Sequence, residues 1–271
     1  MSVQKANKKV TVPTIINMKK QGEPIALLTA YDTLMAEILD ESGIDIILVG
    51  DSGGMVMSGH ENTLSVTMDE MLHYVKAVHR GVKRALLVAD MPFLSYQISV
   101  EEAVRNAGRF LQEGGAEAVK LEGGKAVVPI IQRLVEIGIP VMGHLGLTPQ
   151  SIHQLGGYGV RGKENDAAVQ IKREAQLLQE AGVFCLVLEK VPTLLAKEIS
   201  ESLRIPTIGI GAGKYCDGQV LVSHDMLGLY QKFKPKFVRR YAELGRAMAN
   251  AFADYIHDVK ERKFPTDDES Y

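Results

Sequence analysis

The feature that most restricts this chain is a repeated alternation between short, almost continuous apolar runs and stretches with helical periodicity. The runs cover 25–30, 44–52, 86–93, 118–123, 141–147, 184–191, 207–211 and, least distinctly, 220–224. Most lack the apolar–polar alternation of a strand with one wet face, as parallel strands covered on both sides do. The intervening stretches carry legible punctuation. Thr67 with Glu70, and Ser99 with Glu102, read as capping boxes, in which hydroxyl and carboxylate each satisfy an orphan amide of the first turn. Behind Ser99, the residues Val100, Ala103, Val104, Ala107, Phe110 and Leu111 share one apolar face. Gly43, Gly138 and Gly182 stand where other helices should stop. Strand–helix–strand units with right-handed crossovers build a closed barrel or an open doubly wound sheet. Seven or eight units in 271 residues favour the barrel, which typically needs about 250 residues. The expected fold is therefore an α/β (β/α)8 TIM barrel with an N-terminal capping segment and a long C-terminal helix.

No linker composition divides the sequence, so one domain over 1–271 is expected, with 1–12 and 263–271 as mobile tails. Two long connections, 53–66 and 148–165, are rich in Gly, Ser, His and Asn, and are expected to wall or cover a site. Phe237, Val238, Tyr241, Leu244, Met248, Phe252, Tyr255 and Val259 recur at helical spacing and predict the C-terminal amphipathic helix. A net charge of −2 offers no broad basic surface, which argues against nucleic acid as the main partner. No apolar run approaches the roughly 18 residues of a membrane span, and the N-terminus lacks the apolar stretch of a secretory signal. Cys185 and Cys216 cannot form a disulfide framework, and Cys185 reads as a reduced, packed thiol. A cytoplasmic location is the expectation.

The chemistry is concentrated where the strands end, because side chains at the C-terminal mouth of such a barrel converge on one site. Strand two leads into Asp51 and Ser52, strand three into Asp90, and strand four carries Lys120 and Glu122. Strand five carries His144, strand six Glu189, and strand seven runs into the glycine-rich 209–213. Three carboxylates aimed at one mouth repel one another and call for a cation or a proton. Oxygen ligands without thiolate favour Mg2+ over Zn2+; helix caps and private ion pairs are the alternative for each acid alone. Lys120 and Glu122, two apart, face the same side, as an anion-holding pair or a structural ion pair. His144 suits a hydrogen bond to a carboxylate or carbonyl oxygen, or a structural role. Partial burial of Glu189 would raise its pKa toward that of a general base, the alternative being a partner for Lys190. His60 and His224 are candidate rim residues. The glycine run is either an anion cradle or a tight strand exit.

These residues lie in blocks that together resemble the ketopantoate hydroxymethyltransferase family. The blocks are Thr29-Ala30-Tyr31-Asp32, Leu48-Val49-Gly50-Asp51-Ser52, Gly59-His60, Ala89-Asp90-Met91-Pro92-Phe93, Val119-Lys120-Leu121-Glu122-Gly123-Gly124, Gly143-His144-Leu145-Gly146-Leu147-Thr148-Pro149-Gln150 and Gly209-Ile210-Gly211-Ala212-Gly213. The resemblance implies a barrel of the phosphoenolpyruvate/pyruvate type that assembles into a homodecamer. It implies transfer of a hydroxymethyl group from methylenetetrahydrofolate to α-ketoisovalerate, giving ketopantoate for pantothenate biosynthesis. By position it implies one Mg2+ per subunit at Asp51, Asp90 and Glu122, α-keto acid contacts from Asp51, Ser52, Asp90, Lys120 and His144, and Glu189 as proton acceptor. Two positions depart from the family pattern: Gly53, where a larger apolar residue is common, and Lys190, where a small one is usual. A Mg-dependent lyase of the isocitrate-lyase or phosphonomutase type, acting on an α-keto acid, is the alternative.

Overall fold

In the computed structural model, which describes residues 8–230 and 234–271, the eight runs close into a barrel whose strands follow one another in sequence order. They are β1 Ile25–Thr29, β2 Ile46–Val49, β3 Leu86–Asp90, β4 Ala118–Glu122, β5 Val141–Gly146, β6 Cys185–Glu189, β7 Thr207–Ile210 and β8 Gly218–Leu221. Every neighbouring pair is parallel, and β8 closes on β1 with Ala26 opposite Gln219. The α-helices are α1 Val12–Gln21, α2 Thr33–Glu41, α3 Gly53–Val56, α4 Met68–Gly81, α5 Val100–Gln112, α6 Val128–Glu136, α7 Ile152–Leu155, α8 Asn165–Ala181, α9 Thr193–Ser202, α10 Ser223–Met226 and α11 Leu244–Lys260. The chain separates into two compact units, Met1–Leu221, which holds the barrel, and Val222–Tyr271.

The strands bury both faces, and the period of two sorts their side chains. Ile46, Leu48, Leu86, Val88, Ala118, Met142, Cys185 and Val187 form the barrel interior. Ile47, Val49, Leu87, Ala89, Val119, Leu121, Leu186 and Leu188 join Leu39, Val75 and Phe110 of the helices in the outer layer. The same alternation puts Asp90, Lys120, Glu122, His144 and Glu189 on the inward row. The N-terminal end is closed by α1, whose Ile15 and Met18 belong to the interior cluster. Its start is fixed by reciprocal capping between Thr11 and Thr14. Residues 9–12 are thus anchored rather than a tail: Val10 is buried and its amide donates to Arg84 O at 2.8 Å. The rest of the expected N-terminal tail, 1–7, lies outside the described residues.

Capping follows the sequence at Thr67 and Glu70, which bond reciprocally; at Ser99 the hydroxyl accepts from Glu102 N at 3.1 Å. Three departures have physical causes. Strand eight starts two residues before the predicted run, at Gly218, where a Cβ would lie 2.4 Å from Ile25 O. An apolar count cannot see a strand that opens on a glycine required for close approach. The β7–β8 connection, 211–217, carries no helix, so the glycine run serves as a tight strand exit and offers no helix N-terminus to an anion. In the second unit the helix begins at Leu244, not 237, because Tyr241 N and Leu244 N donate instead to Met226 O and Leu227 O. Leu244, Met248, Phe252, Tyr255 and Val259 of α11 are exposed.

Both cysteines are free, and burial pushes the thiols of Cys185 and Cys216 up. Among the described residues no helix is long and apolar enough to cross a membrane. At the foot of the barrel, buried Asp40 accepts from the amides of Lys83, Arg84 and Ala85 at 3.1, 3.0 and 2.7 Å. Asp40→Ala strands three donors entering β3 and is expected to cost about 3 kcal/mol in urea unfolding. Site chemistry, at the other end, should be unchanged; a loss under about 0.5 kcal/mol would show that water replaces the carboxylate freely.

Candidate active site

The mouth gathers the predicted residues. Asp51, Asp90, Lys120, Glu122 and His144 are each at most 5% exposed, so their charges interact with little solvent between them. Lys120 Nζ donates to Asp90 Oδ1 and Oδ2 at 2.7 and 2.8 Å and lies 3.9 Å from Glu122 Oε1. The register explains this: Asp90 is paired with Lys120 across β3–β4, and Glu122 with His144 across β4–β5. The amide of Asp51 donates to Asp90 Oδ2 at 3.4 Å. His144 stands between two acids, with Nδ1 3.3 Å from Glu122 Oε1 and Nε2 3.5 Å from Glu189 Oε2. These contacts are too poorly aligned to count as hydrogen bonds, but they are close enough for charge to act. Ser52 Oγ lies 2.9 Å from the hydroxyl of Tyr31, whose ring fills the space a Cβ at Gly53 would take.

Burial sets the protonation pattern. It pushes the Asp51 carboxyl well above the usual range, with the charges of Asp90 and Glu122 adding to the effect. Burial also raises Asp90, although Lys120 offsets part of that. Glu122 is held low against its own burial by His144 and Lys120. His144 rises to about 9, since Glu122 and Glu189 outweigh its burial and the repulsion of Lys120. Lys120 is raised, because Asp90, Glu122 and Asp51 overcome its burial.

Asp51, Asp90 and Glu122, expected to share one ion, all lie buried at the mouth, where Glu122 also meets other partners. Glu122 is engaged by Lys120, His144 and the amide of Gln150, which donates to its Oε2 at 3.0 Å. Among the described residues no group of three or more His, Cys, Asp or Glu side chains is placed to hold a metal. Asp51 and Asp90 adjoin at the ends of β2 and β3, and burial disfavours the charged form of both, a cost that a cation would offset. That donor set fits Mg2+, which is commonly held by one or two carboxylates with substrate and water completing its shell. His60 lies 3.5 Å from Glu70; His224 belongs to the second unit.

Sequence reasoning gave no role to Gln150 or Tyr96. Gln150 Nε2 donates to Asp51 Oδ2 at 3.0 Å and to Met91 O at 2.8 Å, and Tyr96 Oη donates to Gln150 Oε1 at 2.8 Å. Gln150 closes the block that begins at Gly143, which was the available signal; Tyr96 lies three residues beyond the block that ends at Phe93. The 148–165 connection is tied beside Glu189 through Lys190. Arg161 N donates to Lys190 O at 2.8 Å, and Lys190 Nζ donates to Tyr158 O at 2.8 Å and lies 5.7 Å from that ring's centroid. Lys190 adopts the left-handed backbone, φ 46°.

A family model described as ketopantoate hydroxymethyltransferase matches residues 9–267. The chain belongs to that family. The 3-methyl-2-oxobutanoate hydroxymethyltransferase of Syntrophus aciditrophicus (strain SB) is 56% identical over 271 residues, covering 100% of each chain. The enzyme of the same description from Chlorobaculum parvum is 56% identical over 266 residues, covering 97% of this chain and 96% of the relative. The family's activity, hydroxymethyl transfer in pantothenate biosynthesis, is therefore that of this chain, and the lyase alternative is set aside. Solved structures of lower identity share the fold. A phosphonopyruvate hydrolase in complex with oxalate and Mg2+ is 12% identical with a TM-score of 0.61, covering 95% of this chain and 92% of its own. A 2,3-dimethylmalate lyase of the PEP mutase/isocitrate lyase superfamily is 16% identical with a TM-score of 0.60, covering 96% and 91%. At such identity the likeness concerns the barrel alone.

Proposed function

We propose that the mouth transfers a hydroxymethyl group from methylenetetrahydrofolate to α-ketoisovalerate, with Glu189 as base and with Asp51, Asp90 and Glu122 as the acids that would hold Mg2+. The observation that carries this reading is the line Glu122–His144–Glu189, which sets an acid on β6 across the mouth from the Asp90–Lys120 pair. When bound, the cation supplies Lewis-acid polarisation of the substrate carbonyl. Lys120, and protonated His144, present positive charge where the enolate oxygen develops its own. Ser52, positioned by Tyr31, offers a hydroxyl to the substrate carboxylate. Glu189 takes the proton from the branched carbon, and that carbon's electron pair forms the new bond to the folate-borne methylene. Both bonds from that methylene to folate nitrogens break, one as the carbon–carbon bond forms and one as a water oxygen replaces the nitrogen. The two nitrogens take the proton from Glu189 and one from water, giving ketopantoate and tetrahydrofolate.

A single cation per subunit and a decameric assembly belong to the same reading and rest on the family. The test is a steady-state assay of ketopantoate formation from both substrates. Product should require folate and Mg2+, fall to background in EDTA and return when Mg2+ is restored. Full turnover in chelator would remove the cation from the reading.

A further inference from the structure

The geometry points to Gln150 as a positioning residue that fixes the rotation of the Asp51 carboxylate, so that the cation-holding acids are assembled before any ion arrives. This inference rests on the proposal that Asp51, Asp90 and Glu122 hold Mg2+. Gln150 is 5% exposed, and both ends of its side-chain amide are paired. Its side-chain nitrogen donates to Asp51 Oδ2 at 3.0 Å and to Met91 O at 2.8 Å, which uses both hydrogens. Its side-chain oxygen accepts from Tyr96 Oη at 2.8 Å and from Gln97 Nε2 at 3.2 Å. Its main-chain amide donates to Glu122 Oε2 at 3.0 Å.

The direction of the amide is forced. Reversed, its oxygen would face the carbonyl of Met91, a group that only accepts. Gln150 therefore presents a donor to Asp51 in every low-energy arrangement, and Tyr96 holds the other end of the amide in place. Tyr96 is itself buried and accepts from the amide of Glu122 at 3.2 Å. The ends of β2 and β3 are thus joined through one neutral side chain supplied from beyond β5, and β4 is tied in by the main-chain amide of Gln150 and the hydroxyl of Tyr96. A neutral amide suits this position: it orients an anion without adding a charge that would compete with the incoming cation. Outer partners of this kind commonly govern metal affinity without touching the metal.

The test titrates MgCl2 by calorimetry into the metal-free full-length protein, without substrate. Gln150→Met keeps the volume and removes the amide; its Mg2+ dissociation constant is expected to rise about tenfold, the lower end for loss of such a partner. In the assay, its Mg2+ requirement should rise in parallel, and saturating Mg2+ should restore kcat to within about twofold of wild type, since the ion can still select the correct Asp51 rotamer. A purely structural role would lower melting temperature but leave the dissociation constant unchanged and kcat unrescued. Either of those last two results overturns the inference. Should Gln150→Met fail to fold, Tyr96→Phe releases the amide's other end and should weaken Mg2+ binding in the same direction by less; unchanged binding there overturns it equally. Failure of the wild type to bind Mg2+ would instead defeat the reading of those acids, and this inference with it.

Discussion

Glu189→Gln is expected to lower turnover by about 10²–10⁴-fold, the range that a positioned general base contributes. It should also abolish exchange of the branched-carbon hydrogen of α-ketoisovalerate with solvent deuterium. The substitution preserves shape, and the main chain at this position is held from both sides. Leu147 N donates to Glu189 O at 2.8 Å, and Lys190 N to Ile210 O at 2.9 Å. Mg2+ binding should stay close to wild type, because the residue's charged neighbour is His144 and not the Asp51–Asp90 pair. Proton NMR of the keto acid in deuterium oxide, with Mg2+ and without folate, isolates the step. Exchange at the wild-type rate would strip Glu189 of its assigned role.

The second large effect concerns Lys120. Its side chain is 5% exposed and its ammonium contacts Asp90 and Glu122. Lys120→Met removes the cation and leaves those acids facing each other beside Asp51 in a site with little water. Loss of one partner from a buried pair typically costs about 3–5 kcal/mol. Urea unfolding of the metal-free variant is expected to show a loss of that size, with part of it returning on addition of Mg2+, which can take over some of the neutralisation. A loss under about 1 kcal/mol, the scale of an exposed ion pair, would mean that protonation of Asp90 or Asp51 relieves the repulsion without Lys120.

Most of the barrel was legible because its strands are buried on both faces, so apolar runs mark them directly. The inward placement of Lys120 and Glu122 followed from their spacing alone, with Leu121 turned to the helices. The limits of legibility are equally physical. Gly218 and Gln219 carry no apolar signal, although the first is needed for close contact with Ile25. The segment before α11 keeps helical spacing but spends its amides on Met226 and Leu227, a tertiary choice that periodicity does not register. Three carboxylates at one mouth were visible; that Glu122 would turn to His144, Lys120 and Gln150 depended on side-chain directions. Gln150 was hidden for the simplest reason. A neutral amide in a loop has neither charge nor pattern until the chain brings Asp51, Met91 and Tyr96 to it.

The exit of β5 also limits how this enzyme can be redesigned. A Cβ at Gly146 would sit 2.2 Å from Glu189 O, and the glycine's φ is 96°, a conformation costly for any other residue. Enlarging residue 146 to reshape the chamber for a bulkier keto acid would therefore push the sixth strand, and with it the group that removes the proton. Altered substrate range has to be sought at positions whose side chains do not abut the main chain of Glu189.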